Sequence, residues 1–564
     1  MSLSQWFIFF LIIQVLHGLG TWKLYEKAGR KSWEAFVPIY NSIVLMKIIN
    51  RPTWWTILLF IPVINLIMFP VVWVETLRSF GKNSSTDTWL GIFTFGLYIY
   101  YINYTQNVTH IKDRSLVART KTGDTVSSLL FAIVVATLVH TYVMQPYTIP
   151  TSSLEKSLLI GDFPFVSKFH YGARTPMTTV AAPMVHDTLP LIKTKSYLSW
   201  PQLPYFRFPG FEKIQKNEIV VFNWPADTVY KFFDTSGRSI VKPVDKKSNY
   251  VKRCQGTPGD SLQIKNGTVF INGKELILPE RAKPQSTYIL YSKAGVNADI
   301  IKNLGCTEFD RTFEVQFTND DQIKAISGYT RYAEKISEGN YKIKTSSNGI
   351  PLSVIREYNI DIREVYDYEL RATLTKEIAK KLKNVKEIDS VRNVISPLGK
   401  GEPNIFTHNP NWNGDNMGPI YIPEAGKTVA LNLQSLPFYK RIISIYEHNS
   451  LKVVGNDIYV NDQKATTYTF KQNYYWMMGD NRHNSEDSRY WGFVPEDHIV
   501  GKPVFIWMSW DSNGKGLGKI RWERLFTTVN GEGQPQSYFK YFLILLALYF
   551  VADYFWKKRK ANNS

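Results

Sequence analysis

Hydrophobic residues in this chain are concentrated near its two ends, in runs long enough to form membrane-spanning helices. Residues 53–74 contain no charged side chain, and residues 126–144 contain only His140 as an ionisable group. An α-helix needs about 20 predominantly apolar residues to cross a bilayer. We therefore predict five spans, the other three being the shorter or less uniform runs 5–20, 88–104 and 538–556.

The first run also has a feature of a cleavable signal peptide, because Gly18-Leu19-Gly20 offers small residues at a cleavage site. However, no Lys or Arg precedes the run, whereas secretory signals begin with a basic segment. Cleavage would also leave the basic loop that follows on the outer face, against the positive-inside rule. We interpret the run as a retained span.

Basic residues in the loops predict the orientation, because cytoplasmic loops are enriched in Lys and Arg. An N-terminus outside, five crossings and a C-terminus inside satisfy every loop, and place residues from about 145 to 537 outside the cytoplasm. If the first and third runs lie at the membrane surface instead, the same side is predicted for this region. The basic residues concerned are Lys23, Lys27, Arg30, Lys31, Lys47, Arg51, Lys112, Arg114, Arg119, Lys121, Lys557, Lys558, Arg559 and Lys560.

The region between the anchors is predicted to be a mainly β domain with an α/β insertion. Glu218–Phe222 has the pattern of a buried strand. Residues 261–276 and 451–464 each predict a hairpin, with Asn-Gly turns in the first. Residues 374–395 have helical periodicity, with a basic face opposite the apolar one. We expect an amphipathic helix packed on a sheet there.

These patterns predict a multi-pass α-helical membrane anchor joined to the β domain. The segments are a membrane region 1–125, a helix 126–144 leading into the domain, a first part of the β domain 145–282, an insertion 283–428 of unknown role, a second part 429–535, a last helix 538–556 and a basic tail 557–564.

Composition favours a membrane protein over a nucleic-acid-binding one. The 564 residues carry a formal net charge of +19, which by itself would suggest nucleic acid, but the apolar residues are clustered and 15% of residues are aromatic. Two cysteines, Cys254 and Cys306, exclude a disulfide-rich scaffold and a four-cysteine zinc site; a disulfide and two buried thiols both stay open. We find no metal-spaced cluster and no phosphate loop, and expect neither metal nor cofactor.

Three segments of the middle region carry candidate chemistry. Residues 149–162 form a hydroxyl-rich turn directly after the fourth span, although Ser and Thr favour turns in any case. Residues 250–260 place Lys252 before a Gly-x-Pro-Gly-Asp turn. Residues 478–495 are dense in Gly, Asn, Asp and Arg around Ser485. A lysine can act as a general base only when it is neutral, a state that burial favours.

In this order, behind a membrane anchor, the three segments resemble bacterial type I signal peptidases. The third segment is the most specific, with a nearly continuous match from Gly479 to Pro495. The first departs in detail: it reads Pro-Thr-Ser-Ser-Leu and then Lys-Ser-Leu, where the family has Pro-Ser-Gly-Ser-Met and Pro-Thr-Leu. The five spans and the insertion also exceed the usual plan of the family.

The resemblance implies a serine endopeptidase that removes N-terminal signal peptides from secreted preproteins by a Ser/Lys dyad. Ser153 falls on the nucleophile and Lys252 on the general base. The Ser153 N–H and the Thr151 hydroxyl would form the oxyanion hole, and Ser485 would orient the lysine amine. The implied supporting residues are Asp480, Arg482, Asp487 and Arg489, and the implied pockets for small substrate side chains at −1 and −3 involve Tyr147, Ile149, Leu158 and Val251.

The same resemblance implies the cytoplasmic membrane as the location, with the catalytic domain on the periplasmic or extracellular face. The implied partners are preproteins and the lipid bilayer, without nucleic acid. Two neighbours compete for the catalytic roles. Ser152 lies beside Ser153, but the reading frame of the motif favours Ser153. Lys440 also precedes a hairpin, but it lacks the Gly-x-Pro-Gly-Asp turn that follows Lys252.

Two other functions remain alternatives. Ser153 to Lys156 spells the Ser-x-x-Lys motif of penicillin-binding proteins, which requires a later Lys-Thr-Gly, whereas this chain has it only upstream at 121–123. A catalytically inactive homologue that binds preproteins or scaffolds an assembly is the second alternative. The departures from the family at Leu154, Lys156 and Ser157 motivate it.

Overall fold

The computed structural model describes residues 1–118, 120–229, 237–512, 514 and 516–562. Arg119 and the last two residues of the predicted basic tail lie outside the described residues. The helices are α1 (Leu3–Lys27), α2 (Tyr40–Ile48), α3 (Trp55–Leu58), α4 (Asn65–Ser79), α5 (Ser85–Phe93), α6 (Tyr98–Thr105), α7 (Lys121–Leu138), α8 (Ala298–Asn303), α9 (Asp320–Ser327), α10 (Leu352–Glu357), α11 (Lys376–Leu382), α12 (Leu436–Arg441), α13 (Ser488–Trp491) and α14 (Phe539–Asn562).

The helices lie mainly at the two ends of the chain, whereas the strands fill its middle. The strands are β1 (Met144–Pro146), β2 (Asp162–Ser167), β3 (Ile219–Asn223), β4 (Asn249–Gly256), β5 (Ser261–Lys265), β6 (Thr268–Ile271), β7 (Lys274–Glu275), β8 (Gln285–Tyr291), β9 (Glu308–Gln316), β10 (Thr330–Ser337), β11 (Asn340–Ser346), β12 (Asp361–Val365), β13 (Glu369–Thr375), β14 (Ser390–Asn393), β15 (Met417–Tyr421), β16 (Thr428–Ala430), β17 (Leu451–Val454), β18 (Asp457–Val460), β19 (Gln463–Lys464), β20 (Thr467–Thr469), β21 (Tyr474–Met478), β22 (Val494–Pro495), β23 (Ile499–Ser509) and β24 (Thr527–Thr528).

Among the described residues, three helices are long and apolar enough to cross a membrane, where five spans were predicted. They are Leu3–Lys27, Lys121–Val143 and Phe539–Ala561. The predicted spans 53–74 and 88–104 are not continuous helices. The first divides into α3 and α4, and the second into α5 and α6.

Each of these two divided runs turns back toward its starting point. Arg51, just before the first run, forms a salt bridge of 2.9 Å with Glu75, just after it. Arg114 also contacts Glu75, at 2.6 Å. Lys82 Nζ, before the second run, donates to Gln106 Oε1 after it, at 3.4 Å. Polar contacts thus join the two ends of each run, as in a helical hairpin rather than a single crossing.

The domain between α7 and α14 is mainly β, as predicted, and three antiparallel sheets dominate it. The first sheet has the order β1-β2-β23-β3-β4-β21-β22, with β24 beside β23. It combines strands from the two ends of the domain, because β23 lies between β2 and β3. The first sheet thereby brings the sequence segments before residue 260 and after residue 470 together.

The second and third sheets come from the sequence between those segments. The second sheet has the order β10-β11-β9-β13-β8-β14, with β12 beside β9. The third has the order β15-β5-β6-β7, so that β15, from the predicted insertion, pairs with the predicted hairpin strand β5. Two small ribbons, β16-β20 and β17-β18-β19, complete the β-structure of the described residues.

Several local predictions are confirmed. The buried-strand pattern forms β3, whose five residues are all buried. The two hairpin patterns form β5-β6-β7 and β17-β18-β19. Asn266 and Gly267 have φ angles of 48° and 77°, which is the left-handed backbone that an Asn-Gly hairpin turn requires. Cys254 and Cys306 are both free and buried, so they do not form a disulfide.

The predicted helix over 374–395 is correct only for its first third. Helix α11 covers Lys376–Leu382, and the chain then turns and forms strand β14. Val391 of β14 pairs with Leu290 of β8 at the edge of the second sheet. The apolar positions do face one core, but two different elements supply them, and helical spacing alone could not reveal that division.

Candidate active site

Lys252, the candidate general base, lies on β4 inside the first sheet. It pairs with Val220 of β3, and only 3% of its surface is exposed. Burial disfavours the charged ammonium and lowers the pKa of Lys252 to about 8, although the carboxylates of Asp487 and Glu486 oppose that shift. Its Nζ lies 5.5 Å from the centre of the Tyr250 ring. An appreciable fraction of this lysine is therefore neutral near neutral pH.

Ser153, the candidate nucleophile, lies in the turn between β1 and β2. The chain before it is extended, because the N–H groups of Tyr147 and Ile149 each donate at 2.9 Å to a carbonyl of β2. Ser153 is 7% exposed. Its carbonyl accepts the backbone N–H of Asn481 at 3.0 Å. The loop after β21 thus fixes the backbone that carries the serine.

Ser153 and Lys252 line the same cavity, which has a volume of about 380 Å³. Four more of the residues predicted to act here line it as well. The cavity is mainly apolar, since aromatic and aliphatic side chains form much of its wall. The sequence-predicted lining residues are Tyr147, Ile149, Thr151 and Val251, and those that sequence reasoning missed are Thr148, Pro150, Pro164, Val221, Trp224, Val229, Asn249, Tyr250, Asn484 and Glu486.

Leu158 differs from the other predicted pocket residues. It is fully buried and packs with Leu154, Ile219 and Ile506 in the core beneath the cavity. Leu158 is not one of the described residues that line the cavity. The match to the family motif gave its position along the chain, but only the packing shows that it lies one layer below the surface of the site.

Ser485 lies close to the segment that carries Ser153, with Gly479 packed between them. A Cβ atom at Gly479 would lie 2.2 Å from Ser485 Oγ and 2.6 Å from the Ser153 carbonyl oxygen. Only a residue without a side chain fits between these atoms. Ser485 Oγ is buried and has no hydrogen-bond partner within the part of the chain that the structure describes. Such a buried, unsatisfied hydroxyl is available to accept a hydrogen bond from a neighbouring amine.

Two buried ion pairs hold the loop between β21 and α13. Arg253 donates two hydrogen bonds to Asp480, at 2.8 and 2.6 Å. Arg489 likewise donates two to Asp487, both at 2.9 Å. Burial raises the pKa of each carboxyl, but the facing guanidinium outweighs burial and holds the pKa of both below the usual range. Both carboxylates therefore stay charged.

Arg482 forms the remaining predicted support. It is buried, and burial together with repulsion from Arg489 lowers its pKa to about 10. Its guanidinium donates to Gln255 Oε1 at 3.4 Å. Of the rejected candidates, Lys440 is exposed on α12 and is not among the residues that line the cavity. Ser152 contributes its carbonyl oxygen, which accepts from Asn481 Nδ2 at 3.2 Å.

Comparison with known proteins identifies two families along the chain. The family described as "Signal peptidase, peptidase S26" matches residues 122–342 and 448–510, which together make up just over half of the chain. A family of unknown function, DUF5684, matches residues 33–113, the region of the two helical hairpins.

Three relatives illustrate the similarity. "Signal peptidase I" of Buchnera aphidicola subsp. Acyrthosiphon pisum is 25% identical over 377 residues, covering 67% of this chain and 72% of the relative. That of Helicobacter pylori is 23% identical over 423 residues, covering 72% of this chain and 92% of the relative. That of Haemophilus influenzae is 50% identical over 56 residues, covering 10% and 16%.

These matches, together with a mainly β domain joined to long apolar helices, place the chain in the class of membrane-associated serine endopeptidases. The chain belongs to the signal peptidase family, peptidase S26. Its activity is accordingly the removal of signal peptides from secreted preproteins at the membrane.

Proposed function

We propose that Ser153 and Lys252 carry out this reaction as a catalytic dyad. The observation that carries the proposal is that a serine and a buried lysine with a lowered pKa line one cavity. Neutral Lys252 takes the hydroxyl proton of Ser153 while Ser153 Oγ attacks the scissile carbonyl. The resulting ammonium then gives that proton to the leaving amine, and an ester acyl-enzyme forms.

Hydrolysis of the ester returns the enzyme to its starting state. Lys252, neutral again, takes a proton from a water molecule that attacks the ester carbonyl, and Ser153 leaves with that proton. In both steps the Ser153 N–H and the Thr151 hydroxyl donate to the developing oxyanion. Thr151 lines the cavity beside Ser153, which supports this role. One such donor typically contributes about 3–4 kcal/mol in the transition state.

Ser485 is the residue we propose to orient the Lys252 amine. Its buried hydroxyl has no other partner among the described residues, and Asp487 exerts its charge on Lys252 from the same loop. The bidentate pair of Asp487 with Arg489 fixes the loop, and Asp480 and Arg482 brace its beginning.

The proposed substrate is a preprotein with small side chains at −1 and −3, bound as an extended strand. The extended segment Tyr147 to Ile149 and the side chain of Val251 form the apolar wall next to Ser153. Small side chains fit such a wall because larger ones would meet buried neighbours. Leu158 supports this wall only indirectly, because it packs in the same core cluster as Ile149.

We further propose three membrane crossings rather than five, with the β domain on the outer face of the cytoplasmic membrane. The three long apolar helices and the two runs that fold back support this count. Since a hairpin enters and leaves on one side, removing two crossings leaves the orientation of the β domain unchanged. The N-terminus lies outside and the basic C-terminus inside.

A cleavage assay tests the dyad. Purified full-length protein in detergent meets a preprotein with Ala at −1 and −3, and product is followed over time. We expect Ser153→Ala and Lys252→Ala each to lower kcat by at least about 1,000-fold, as for other residues that act as one catalytic unit. Lys440→Ala, on the exposed face of α12, is the matched control and keeps wild-type activity.

Other outcomes have definite meanings. Loss of cleavage in Ser152→Ala with full activity in Ser153→Ala would move the nucleophile by one residue. Binding of the preprotein without turnover by folded wild-type protein would overturn the dyad in favour of a binding protein. Covalent labelling of Ser153 by a β-lactam, without preprotein cleavage, would instead favour the penicillin-binding reaction.

A further inference from the structure

A second, larger groove begins where the cavity of the candidate dyad ends. It has a volume of about 660 Å³ and lies between the second sheet and the loop after β21. Asn484 lines both the cavity and the groove, and Ser152 lines the groove while Ser153 lines the cavity. The two spaces therefore share Asn484 and adjoin each other at the segment that carries the candidate nucleophile.

One polar row of the second sheet forms the wall of this groove next to the serine. Thr287, Thr373 and Glu308 lie opposite one another on the adjacent strands β8, β13 and β9. Residues paired directly across strands share a face of the sheet. The other face packs into an apolar core that includes Leu290 and Leu374. The sheet thus turns its polar face toward the candidate active site.

Hydrogen bonds fix this wall to the segment that carries the serine. Glu308 Oε2 accepts from Asn481 Nδ2 at 2.6 Å and from Asn484 Nδ2 at 2.9 Å. Asn484 Nδ2 also donates to Thr373 Oγ1 at 3.2 Å. The Asn481 backbone N–H also donates to the Ser153 carbonyl. Asn481 therefore holds the groove wall and the candidate nucleophile in a fixed position relative to each other.

Charged side chains lie farther along the groove. Asp310 of β9 forms a salt bridge of 2.7 Å with Arg331 of β10. Arg371 of β13 lies two residues from Thr373, and hence on the same face of the strand. It is exposed, lines the groove, and forms no salt bridge with a residue that the structure describes. Arg371 therefore has no ion-pair partner among the described residues. The acidic side chains that line the same groove already have partners: Asp310 pairs with Arg331, Glu308 accepts from Asn481 and Asn484, and Asp415 contacts His483.

We propose that this groove binds the part of the preprotein that follows the scissile bond, and that Arg371 favours an acidic side chain there. The inference rests on the proposed Ser/Lys function, because that function places residues −1 and −3 in the apolar cavity. An extended chain that passes Ser153 must then continue beyond Ser152 and Asn484, which is where the polar groove begins. The second sheet, which comes from the sequence insertion, would thus bind the first residues of the mature protein.

Paired substrates test this inference. Two preproteins are identical up to residue +1, with Ala at −1 and −3, and carry either Glu or Lys at +2 to +4. For the full-length protein we expect KM to be about fivefold lower for the Glu substrate, as one exposed charge contact allows, with similar kcat. Arg371→Glu should reverse the order of the two KM values, and Arg371→Gln should abolish the difference.

Arg356→Glu is the matched control, because Arg356 is an exposed arginine on α10 outside the groove lining. It should leave the preference for the Glu substrate unchanged. The groove assignment alone would be overturned if wild type cleaved both substrates with equal KM. It would also be overturned if Arg371→Glu changed the KM of both substrates by the same factor. If wild type cleaves neither substrate, the Ser/Lys function itself is overturned, and the groove assignment with it.

Discussion

At the scale of single residues, the candidate chemistry depends on where Lys252 is buried. A free lysine is almost fully protonated at neutral pH, whereas desolvation inside the first sheet, together with repulsion from Arg489, lowers the pKa of Lys252 to about 8. The carboxylates of Asp487 and Glu486 limit this shift, because both favour the ammonium form. The pKa of this candidate base therefore depends on burial and Arg489, which lower it, and on the nearby carboxylates, which raise it.

This balance predicts the pH dependence of cleavage. A general base works in its neutral form, so kcat/KM should rise with pH through about 8 and reach a plateau above it. Glu486→Gln removes an anion that stabilises the ammonium, which lowers the pKa of Lys252 and moves the rise to lower pH. Initial rates between pH 6 and 10 measure both curves.

Glu334→Gln, on an exposed position of β10, is the control and should leave the midpoint unchanged. A rate that does not vary over this range would contradict Lys252 as the base. So would a midpoint that stays the same in Glu486→Gln while the wild type shows a clear rise.

At the scale of elements, the loop between β21 and α13 connects the parts of the site. Its Gly479 is packed between Ser485 and the Ser153 carbonyl, and its Asn481 donates to that carbonyl. Two buried arginine–aspartate pairs fix the loop at its beginning and its end. The density of Gly, Asn, Asp and Arg in 478–495 predicted a fixed loop, and the structure supplies the contacts that fix it.

Gly479→Ala should therefore damage the site more than the fold. The added Cβ would overlap the Ser153 carbonyl oxygen and Ser485 Oγ, so the serine backbone must move. A misplacement of about 1 Å in a catalytic group can cost about 100-fold in rate, and we expect a loss of that size in kcat. Cleavage kinetics and thermal unfolding, measured on the same preparation, separate the two effects.

Gly328→Ala is the matched control, because a Cβ there meets no atom within 4 Å and the backbone is not left-handed. It should keep wild-type kcat. Full activity in Gly479→Ala would show that the loop and the serine segment are not packed as tightly as the structure indicates.

At the scale of the whole molecule, two of the hydrophobic runs near the N-terminus do not form single long helices. The salt bridge between Arg51 and Glu75 joins the two ends of the first divided run. Val63, at the turn of that run, packs with Ala181 and Tyr197 of the β domain. Breaks in a helix within a membrane require partners for the freed backbone groups, and packed protein can provide them. The composition of such a run is the same whether it crosses or returns.

The loop between the two divided runs distinguishes three crossings from five. Five crossings place Ser85 outside, whereas three place it in the cytoplasm. We expect a Ser85→Cys variant in intact cells to resist a membrane-impermeant maleimide until the membrane is permeabilised. The native thiols do not interfere, because Cys254 and Cys306 are buried.

Two further single-cysteine variants calibrate that experiment. Leu191→Cys, at a position 95% exposed in the β domain, should react from outside, and Lys560→Cys, in the basic tail, only after permeabilisation. Labelling of Ser85→Cys from outside, with both controls as expected, would restore the five-span topology.

The sequence by itself determined those local elements that short-range sequence signals specify. It also determined the order of the three motifs along the chain. Asn-Gly turns predicted hairpins because the left-handed backbone of the turn is a local property. The motif around Ser485 identified the family because it is nearly continuous along the chain. Helical spacing over 374–395 correctly predicted buried positions but not the change from α11 to β14, since both elements face one core.

Only the tertiary structure decided which distant residues meet. Ser153, Lys252 and Ser485 come from three widely separated segments, and sheet pairing together with the packing of Gly479 brings these segments next to one another. The burial that lowers the pKa of Lys252, the return of two apolar runs and the polar face of the second sheet are likewise long-range. Burial and pairing depend on what surrounds a residue in space, and sequence spacing carries little of that information.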